Sequence, residues 1–370
     1  MWQQVCGFIG IQKLLNIKIK GLFMRVLFFS TMPNAPTGGV RVIYRFVSLL
    51  NKMGVESYVY HELSSYKYKW SDGNSPIYKR KKINSSDHVV IPDVFIGRES
   101  KEILSNNCSY SLFIQNPYIL KTVKRYSNEN YIENVFKNSF KILCISEDTI
   151  RMITKMFPEC SNKIIRVTWS MDIGSFHVAN RKKRIISYMP RKNSDHVDLV
   201  LDMLSSALPS TWKLKKIQGM SIEKLQKTLS ESSIFLSFGS FEGLPAPPIE
   251  AAICGNYVIG YHGNGGLEYW NKPNFLTVNV CEIEDYVDKI LHIISKINNN
   301  PECFFELDEN IKELKELISE NNEMNNLNSF AKSLNDLNLK DGSKVTLPFK
   351  TNMLAYQINK VITKSMQIFY

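Results

Sequence analysis

The sequence predicts an α/β protein of two halves, each wound around a mostly parallel sheet, and three observations carry that expectation. Buried-strand runs, turn-rich loops and helical apolar spacing alternate along the chain, the pattern of strand–helix–strand units that build parallel sheets. The alternation starts twice, once at Met24 and again after the charged stretch from Asn180 to Arg184. The 370 residues also exceed the ~250–300 at which a single hydrophobic core usually splits.

Residues 1–23 mix Val5, Phe8, Ile9, Ile11, Leu14, Leu15 and Ile17 with Lys13, Lys18 and Lys20. Their charge does not precede the apolar residues and no small-residue cleavage site follows, so they read as an amphipathic extension rather than a secretory signal. Met24 is then as good a functional start as Met1. The run Met24-Arg25-Val26-Leu27-Phe28-Phe29-Ser30 predicts the first strand, and a loop with Pro33, Asn34, Pro36, Gly38 and Gly39 follows it. Val40, Ile43, Tyr44, Phe46, Val47, Leu50 and Met53 recur at helical spacing, and Gly54 closes that helix before a strand at 57–60. Further strands are expected at 89–91, 111–114 and 141–145.

The second half opens with a strand at 185–189 and continues with a helix at 197–204, a strand at 212–217 and a helix at 222–229. A strand at 234–237, a helix at 247–254 and a strand at 257–260 follow. The consequence is a pair of Rossmann-like domains, 24–178 and 179–345. Beyond Pro301 an amphipathic helix is expected around Ile311, Leu314 and Ile318. Residues 346–370 predict a C-terminal helix able to cross back to the first domain.

Lys plus Arg is 46 and Asp plus Glu is 35, a net charge of +11 that points to anionic partners without choosing among nucleic acid, anionic lipid and phosphorylated small molecules. The 7 cysteines are scattered and form no CxxC or Cys/His cluster, which argues against a disulfide framework or structural zinc and fits a reducing, cytoplasmic setting. The 6 histidines offer no HExxH spacing, so no metal is expected. No apolar stretch reaches the ~18–20 residues of a membrane-spanning helix.

The most informative stretch runs from Phe235 to Ala252, where a buried strand enters a Gly/Pro loop and then a helix with Pro247 and Pro248 in its first turn. Free N–H groups and the positive dipole end there suggest an anion site. Glu242 and Glu250 bracket it. Carboxylates would repel phosphate, so they fit better as acceptors for the hydroxyls of a sugar or ribose held beside it. Glu250 alone could equally do no more than favour the helix dipole.

Glu242 and Glu250 form an E-x7-E pattern after a strand, and with Gly255, the strand at 257–260 and Gly265-Gly266-Leu267-Glu268 the region resembles the donor site of retaining GT-B glycosyltransferases of the group-1 (GT4) family. Gly38-Gly39 before a helix, the two α/β halves, and Ser146-Glu147 opening a helix extend the resemblance over roughly residues 24–300. It implies the GT-B architecture, two Rossmann-like domains facing a cleft, the first on the acceptor side and the second on the donor side. It implies Glu242 against the transferred sugar, Glu250 on the ribose, and backbone contacts from Gly243 and Leu244, with Gly38, Gly39, Gly265 and Gly266 also on the donor. This loop, Glu242-Gly243-Leu244-Pro245-Ala246-Pro247-Pro248-Ile249-Glu250, keeps the length of the family's E-G-F-G-L-P-x-x-E but lacks its second glycine. The family's basic pair for the leaving diphosphate corresponds to Arg191 and Lys192, here adjacent, with Arg191 favoured for its bidentate geometry. The resemblance also implies a nucleotide sugar as co-substrate with no other cofactor, retention of configuration, and no divalent metal, in line with the absence of a D-x-D.

Tyr66, Lys67, Tyr68, Lys69, Trp70, Tyr78, Lys79, Arg80, Lys81 and Lys82 form a basic, aromatic patch. It suits single-stranded nucleic acid, an anionic membrane with aromatics at headgroup depth, or merely a solvated loop. Beside the resemblance the membrane option fits best. The expectation is therefore a transferase in cell-surface polysaccharide biosynthesis, acting on a saccharide acceptor, lipid-linked, at the inner membrane face, with no nucleic-acid partner. A non-catalytic nucleotide-sugar-binding scaffold and a nucleic-acid-binding protein remain the alternatives.

Overall fold

The computed structural model describes residues 24–339 apart from 72, 80–81, 127–128, 172 and 271–272, so the expectations for 1–23, 346–370, Arg80 and Lys81 lie outside the described residues. The chain divides into two compact units. One holds residues 24–144, Ile153–Val167 and 324–339, and the other holds Ile145–Met152 and Thr168–Glu323. The sequence places one break near 178; the chain enters the second unit over Ile145–Met152, goes back, passes to it again at 168 and returns to the first at 324.

The first unit is a sheet of order β2-β1-β3-β4-β5-β6 with every pairing parallel. Its strands are β1 (Val26–Phe29), β2 (Ser57–Tyr60), β3 (His88–Pro92), β4 (Ser109–Ile114), β5 (Ile142–Cys144) and β6 (Ile164–Arg166). All four residues of β1 are buried, as a parallel strand covered on both faces requires. Helix α1 (Gly38–Lys52) turns Val40, Ile43, Tyr44, Phe46, Val47 and Leu50 inward, and Phe46 stacks on Phe113 at 5.3 Å. Gly54, at φ 85°, takes the left-handed conformation that ends the helix. The expected glycine loop before this helix is a correction: Gly38 and Gly39 are its first two residues, behind an extended Thr37. Helices α2 (Arg98–Leu104), α3 (Leu120–Tyr126) and α4 (Glu129–Asn138) complete the connections, and α5 (Glu147–Met156) follows β5.

The second unit is a parallel sheet of order β11-β10-β9-β7-β8. It contains β7 (Lys183–Tyr188), β8 (Lys213–Lys216), β9 (Ser232–Ser237), β10 (Tyr257–Gly260) and β11 (Phe275–Thr277), with helices α6 (Ser194–Ala207), α7 (Ile222–Glu231), α8 (Ala246–Ile253), α9 (Ile283–Asn299) and α10 (Asp308–Leu317). Ile186, Ile234, Leu236, Tyr257 and Ile259 of the strands meet Val197, Val200, Leu204, Tyr286 and Ile290 of α6 and α9 in one core. Helix α11 (Glu320–Leu339) closes the described chain. Absent from the sequence expectation are β6 and β11, both edge strands of three residues, and the helices α9 and α11. No helix among the described residues is long and apolar enough to cross a membrane.

Candidate functional site

The candidate site lies wholly in the second unit. Strand β7 pairs with β8 on one side and β9 on the other, so the chain reverses its direction of growth across the sheet at β7. In open parallel sheets, ligands bind beyond the carboxyl ends of the strands where the order reverses. The loops that leave β7, β9 and β10 at that edge carry Arg191 and Lys192, Glu242 to Leu244, and Gly263 to Glu268 respectively.

The structure brings Lys192 and Glu242 together. Lys192 Nζ lies 2.8 Å from Glu242 Oε1, with side-chain exposures of 29% and 22%. Arg191 is exposed on the same loop and within the electrostatic reach of Glu242. Asn193, at φ 46°, takes the left-handed conformation that Asn tolerates and starts α6. Its Nδ2 donates to Phe238 O at 2.5 Å and to Ser240 Oγ at 3.2 Å, tying the basic loop to the glutamate loop.

Glu242 is held from both sides by backbone. Its N–H donates to Gly263 O at 2.9 Å, and its carbonyl accepts from Gly265 N–H at 3.1 Å. Two glycines clear its side chain: a Cβ at Gly239 would lie 3.0 Å from Glu242 Cγ and Oε1, and one at Gly263 2.8 Å from Glu242 Cβ. A Cβ at Gly265 would stand 1.8 Å from Gly243 O, which no relaxation of a side chain could relieve. The Gly265 and Gly266 N–H groups donate inside this loop, the latter to His262 O at 3.0 Å, so these glycines act here through close packing. Tyr269 Oη donates to Pro245 O at 2.7 Å, and His262 Nδ1 accepts the Asn264 N–H at 2.9 Å while burial lowers the ring's pKa. Glu268 Oε2 accepts the Glu147 N–H at 2.7 Å, a carboxylate placed against the start of α5.

Glu250 sits one turn into α8 and is buried, at 9% exposure. The start of α8 carries the two prolines expected from the sequence, which limits the free N–H groups it can offer. Ala246 is its first residue, so Pro247 and Pro248 hold the next two places and have no N–H to offer. The N–H groups of Gly243, Leu244 and Ala246 find no backbone acceptor among the described residues and are the donors left for an anion. Gly243 is buried and Leu244 half-buried.

The remaining expected residues belong to the first unit. Gly38 has open space around it, whereas a Cβ at Gly39 would lie 2.3 Å from Gln115 Oε1, and Gln115 Nε2 donates to Gly39 O at 3.3 Å. Lys79 and Lys82 are exposed, as is Trp70 at 38%. The neighbouring tyrosines point elsewhere than a stacking surface needs. Tyr68 and Tyr78 are buried, and the Tyr66, Tyr68 and Tyr78 hydroxyls donate to the carbonyls of Pro33, Thr37 and Lys82. Asn193, Gly239, Gly263 and Tyr269 are supporting residues absent from the sequence expectation. The Gly-x-Gly-Gly run at 263–266 was the available signal. Among the described residues no group of His, Cys, Asp and Glu is arranged to hold a metal.

No family model matches the chain, and no curated protein matches it. Solved structures do. Sucrose-phosphate synthase from Thermosynechococcus elongatus is similar at 11% identity over 85% of this chain and 99% of that one, with a TM-score of 0.61. The lipopolysaccharide outer core galactosyltransferase WaaB is similar at 14% identity over 84% and 100%, TM-score 0.58. The catalytic domain of starch synthase IV from Arabidopsis thaliana, bound to ADP and acarbose, is similar at 8% identity over 86% and 99%, TM-score 0.55. At these identities the likeness shows the fold, the GT-B type with two parallel-sheet α/β units.

Proposed function

We propose that the chain is a glycosyltransferase that moves a sugar from a nucleotide donor to a saccharide acceptor with retention of configuration and without a divalent metal. The observation that carries this reading is the pairing of Lys192 with Glu242 at the point where the second sheet reverses its order, beside the N–H groups of Gly243, Leu244 and Ala246. A cation and free donors suit a diphosphate, and a carboxylate among them suits the hydroxyls and developing positive charge of the sugar. The GT-B neighbours, two of them named as synthases and one as a galactosyltransferase, support the same class.

In this mechanism Arg191, Lys192 and the α8 start stabilise the departing diphosphate, and Glu242 positions the sugar and offsets charge at its anomeric carbon. Glu250 holds the ribose. The leaving phosphate takes the acceptor proton, so no protein base is assigned. The acceptor is read as lipid-linked, in cell-surface polysaccharide synthesis at the cytoplasmic membrane face, on the strength of exposed Lys67, Lys69, Trp70, Lys79 and Lys82. Sedimentation with acidic vesicles tests that part, and loss of binding in a Lys79→Ser/Lys82→Ser variant is the expected result.

The deciding experiment is a thermal-shift screen against UDP-, GDP-, dTDP- and ADP-sugars, followed by product analysis in excess chelator. One donor should raise the melting temperature and turn over unchanged with chelator, giving a product of the donor's anomeric configuration. The two prolines at the α8 start favour a second reading, a scaffold that binds donor without turnover. Stabilisation by a donor with neither transfer nor hydrolysis would select it. Stabilisation by no nucleotide sugar would refute both.

A further inference from the structure

Cys281 lies in the turn before α9. Of the cysteines among the described residues it is the exposed one, while Cys108, Cys144, Cys160, Cys254 and Cys303 are buried. Its φ of 76° puts a residue with a side chain in the left-handed region, at a cost of about 1–2 kcal/mol. Such a placement persists where the surroundings dictate it. Here they do: the Cys281 N–H donates to Tyr261 Oη at 3.4 Å, and Cys281 Sγ faces His196 Nε2 at 3.8 Å.

The other nitrogen of that ring, Nδ1, lies 2.9 Å from the same Tyr261 Oη. Tyr261 is 1% exposed and its ring stands perpendicular to the imidazole, at 90°, so the tyrosine is a fixed post and the histidine is oriented by it. Burial raises the Tyr261 pKa and keeps it a neutral phenol. With the ring proton on Nδ1, Tyr261 Oη accepts it and Nε2 turns its lone pair toward the thiol. The arrangement is a nucleophile, a base within reach of it, and a third group that orients the base.

We propose that Cys281 is a modification site, a surface thiol activated by His196 that forms mixed disulfides with small neutral or cationic disulfides. The exchange is balanced by the groups present. The Sγ proton passes to His196 Nε2, and Sγ bonds to one sulfur of the incoming disulfide. The original S–S bond breaks, and the second sulfur leaves as a thiolate that takes the proton from the imidazolium. The reagent preference comes from Glu282, whose carboxylate accepts from Asn279 Nδ2 at 3.0 Å, and from Glu284 in the first turn of α9, which repel anions. This proposal stands independently of the donor site.

The test treats the full chain under native conditions with cystamine, hydroxyethyl disulfide or glutathione disulfide and maps the adducts by peptide mass spectrometry. Cys281 should react about tenfold or more faster than any other cysteine in residues 24–339, as exposure and an adjacent base imply. Cystamine should lead glutathione disulfide, the gap narrowing as salt is added. His196→Gln should slow the reaction at Cys281 about tenfold without lowering the melting temperature, and Tyr261→Phe, which keeps the buried ring, should slow it as well. Slow labelling of Cys281, an unchanged rate in both variants, or glutathione disulfide reacting as fast as cystamine would each overturn the proposal.

Discussion

Lys192 Nζ pairs with Glu242 Oε1 at 2.8 Å, so a phosphate that takes up Lys192 competes with that carboxylate. In a medium of effective dielectric ~20 the bare attraction at this separation is about 6 kcal/mol. The two side chains keep 29% and 22% of their exposure. Solvent screening and the cost of ordering two flexible side chains therefore reduce the net value to about 1 kcal/mol. Glu242→Gln removes the competitor, and nucleoside diphosphate should then bind as tightly as to the wild type or up to about fivefold tighter. Turnover should fall by roughly two orders of magnitude, because the carboxylate's interaction with the sugar is made chiefly in the transition state. Lys192→Met should weaken diphosphate binding about ten- to a hundredfold through loss of a charged hydrogen bond. In the Lys192→Met background, Glu242→Gln should bring no gain, since there is no lysine left to release. Calorimetry on the four proteins and a transfer assay on the single variants decide the matter. Diphosphate binding weakened more than tenfold by Glu242→Gln, or normal turnover in that variant, would refute the reasoning.

Glu250→Ala should weaken free nucleoside diphosphate and intact donor to the same extent, about ten- to a hundredfold by calorimetry, because its assigned partner is the ribose common to both. Gly265→Ala drives a Cβ to 1.8 Å from Gly243 O and should lower stability by about 1–3 kcal/mol in urea unfolding, whereas Gly38→Ala, with open space, should leave it unchanged or slightly raised. His88 is fully buried between Ser109 Oγ and Ser111 Oγ, each at 2.9 Å, and burial lowers its pKa to about 3. The unfolded chain binds that proton first, so the neutral ring's contribution is complete above pH ~6.5 and is lost as the pH falls toward 3, with a slope of up to ~1.4 kcal/mol per pH unit. Urea unfolding between pH 7 and 5 should show this slope in the wild type relative to His88→Asn, and parallel curves would contradict it.

The buried parallel strands were legible because strands covered on both faces read as apolar runs, as in β1 and the Ile234–Leu236 centre of β9. Short edge strands leave no such run. β6 and β11 are three residues each, and their pairing follows from the neighbouring strand rather than from their own pattern. Tyr286, Val287, Ile290, Ile293, Ile294 and Ile297 carry helical spacing enough for α9. The types of residue at the site could be read from the glutamate pair and the basic pair. Which cation meets which carboxylate could not, since it depends on β9 returning to the free side of β7, an adjacency that chain order does not specify.

The α8 start shows how one local choice shifts the work of a site to its neighbours. Proline suits the first turn of a helix because its fixed φ is already helical, and the N–H it lacks would be unpaired in any case. Where that unpaired N–H is itself the ligand donor, the same residue removes binding capacity. Pro247 and Pro248 do so at two successive positions, leaving Ala246 with the loop donors Gly243 and Leu244. The loop can hold those two in place because Tyr269 Oη fixes Pro245 O and the backbone of 263–265 fixes Glu242. Charge that the helix end cannot supply must then come from side chains, and Arg191 and Lys192 stand on the loop that Asn193 ties to Phe238 O and Ser240 Oγ. In the proposed phosphate site, two adjacent cations, an odd spacing when viewed as sequence, offset a proline-blocked helix start.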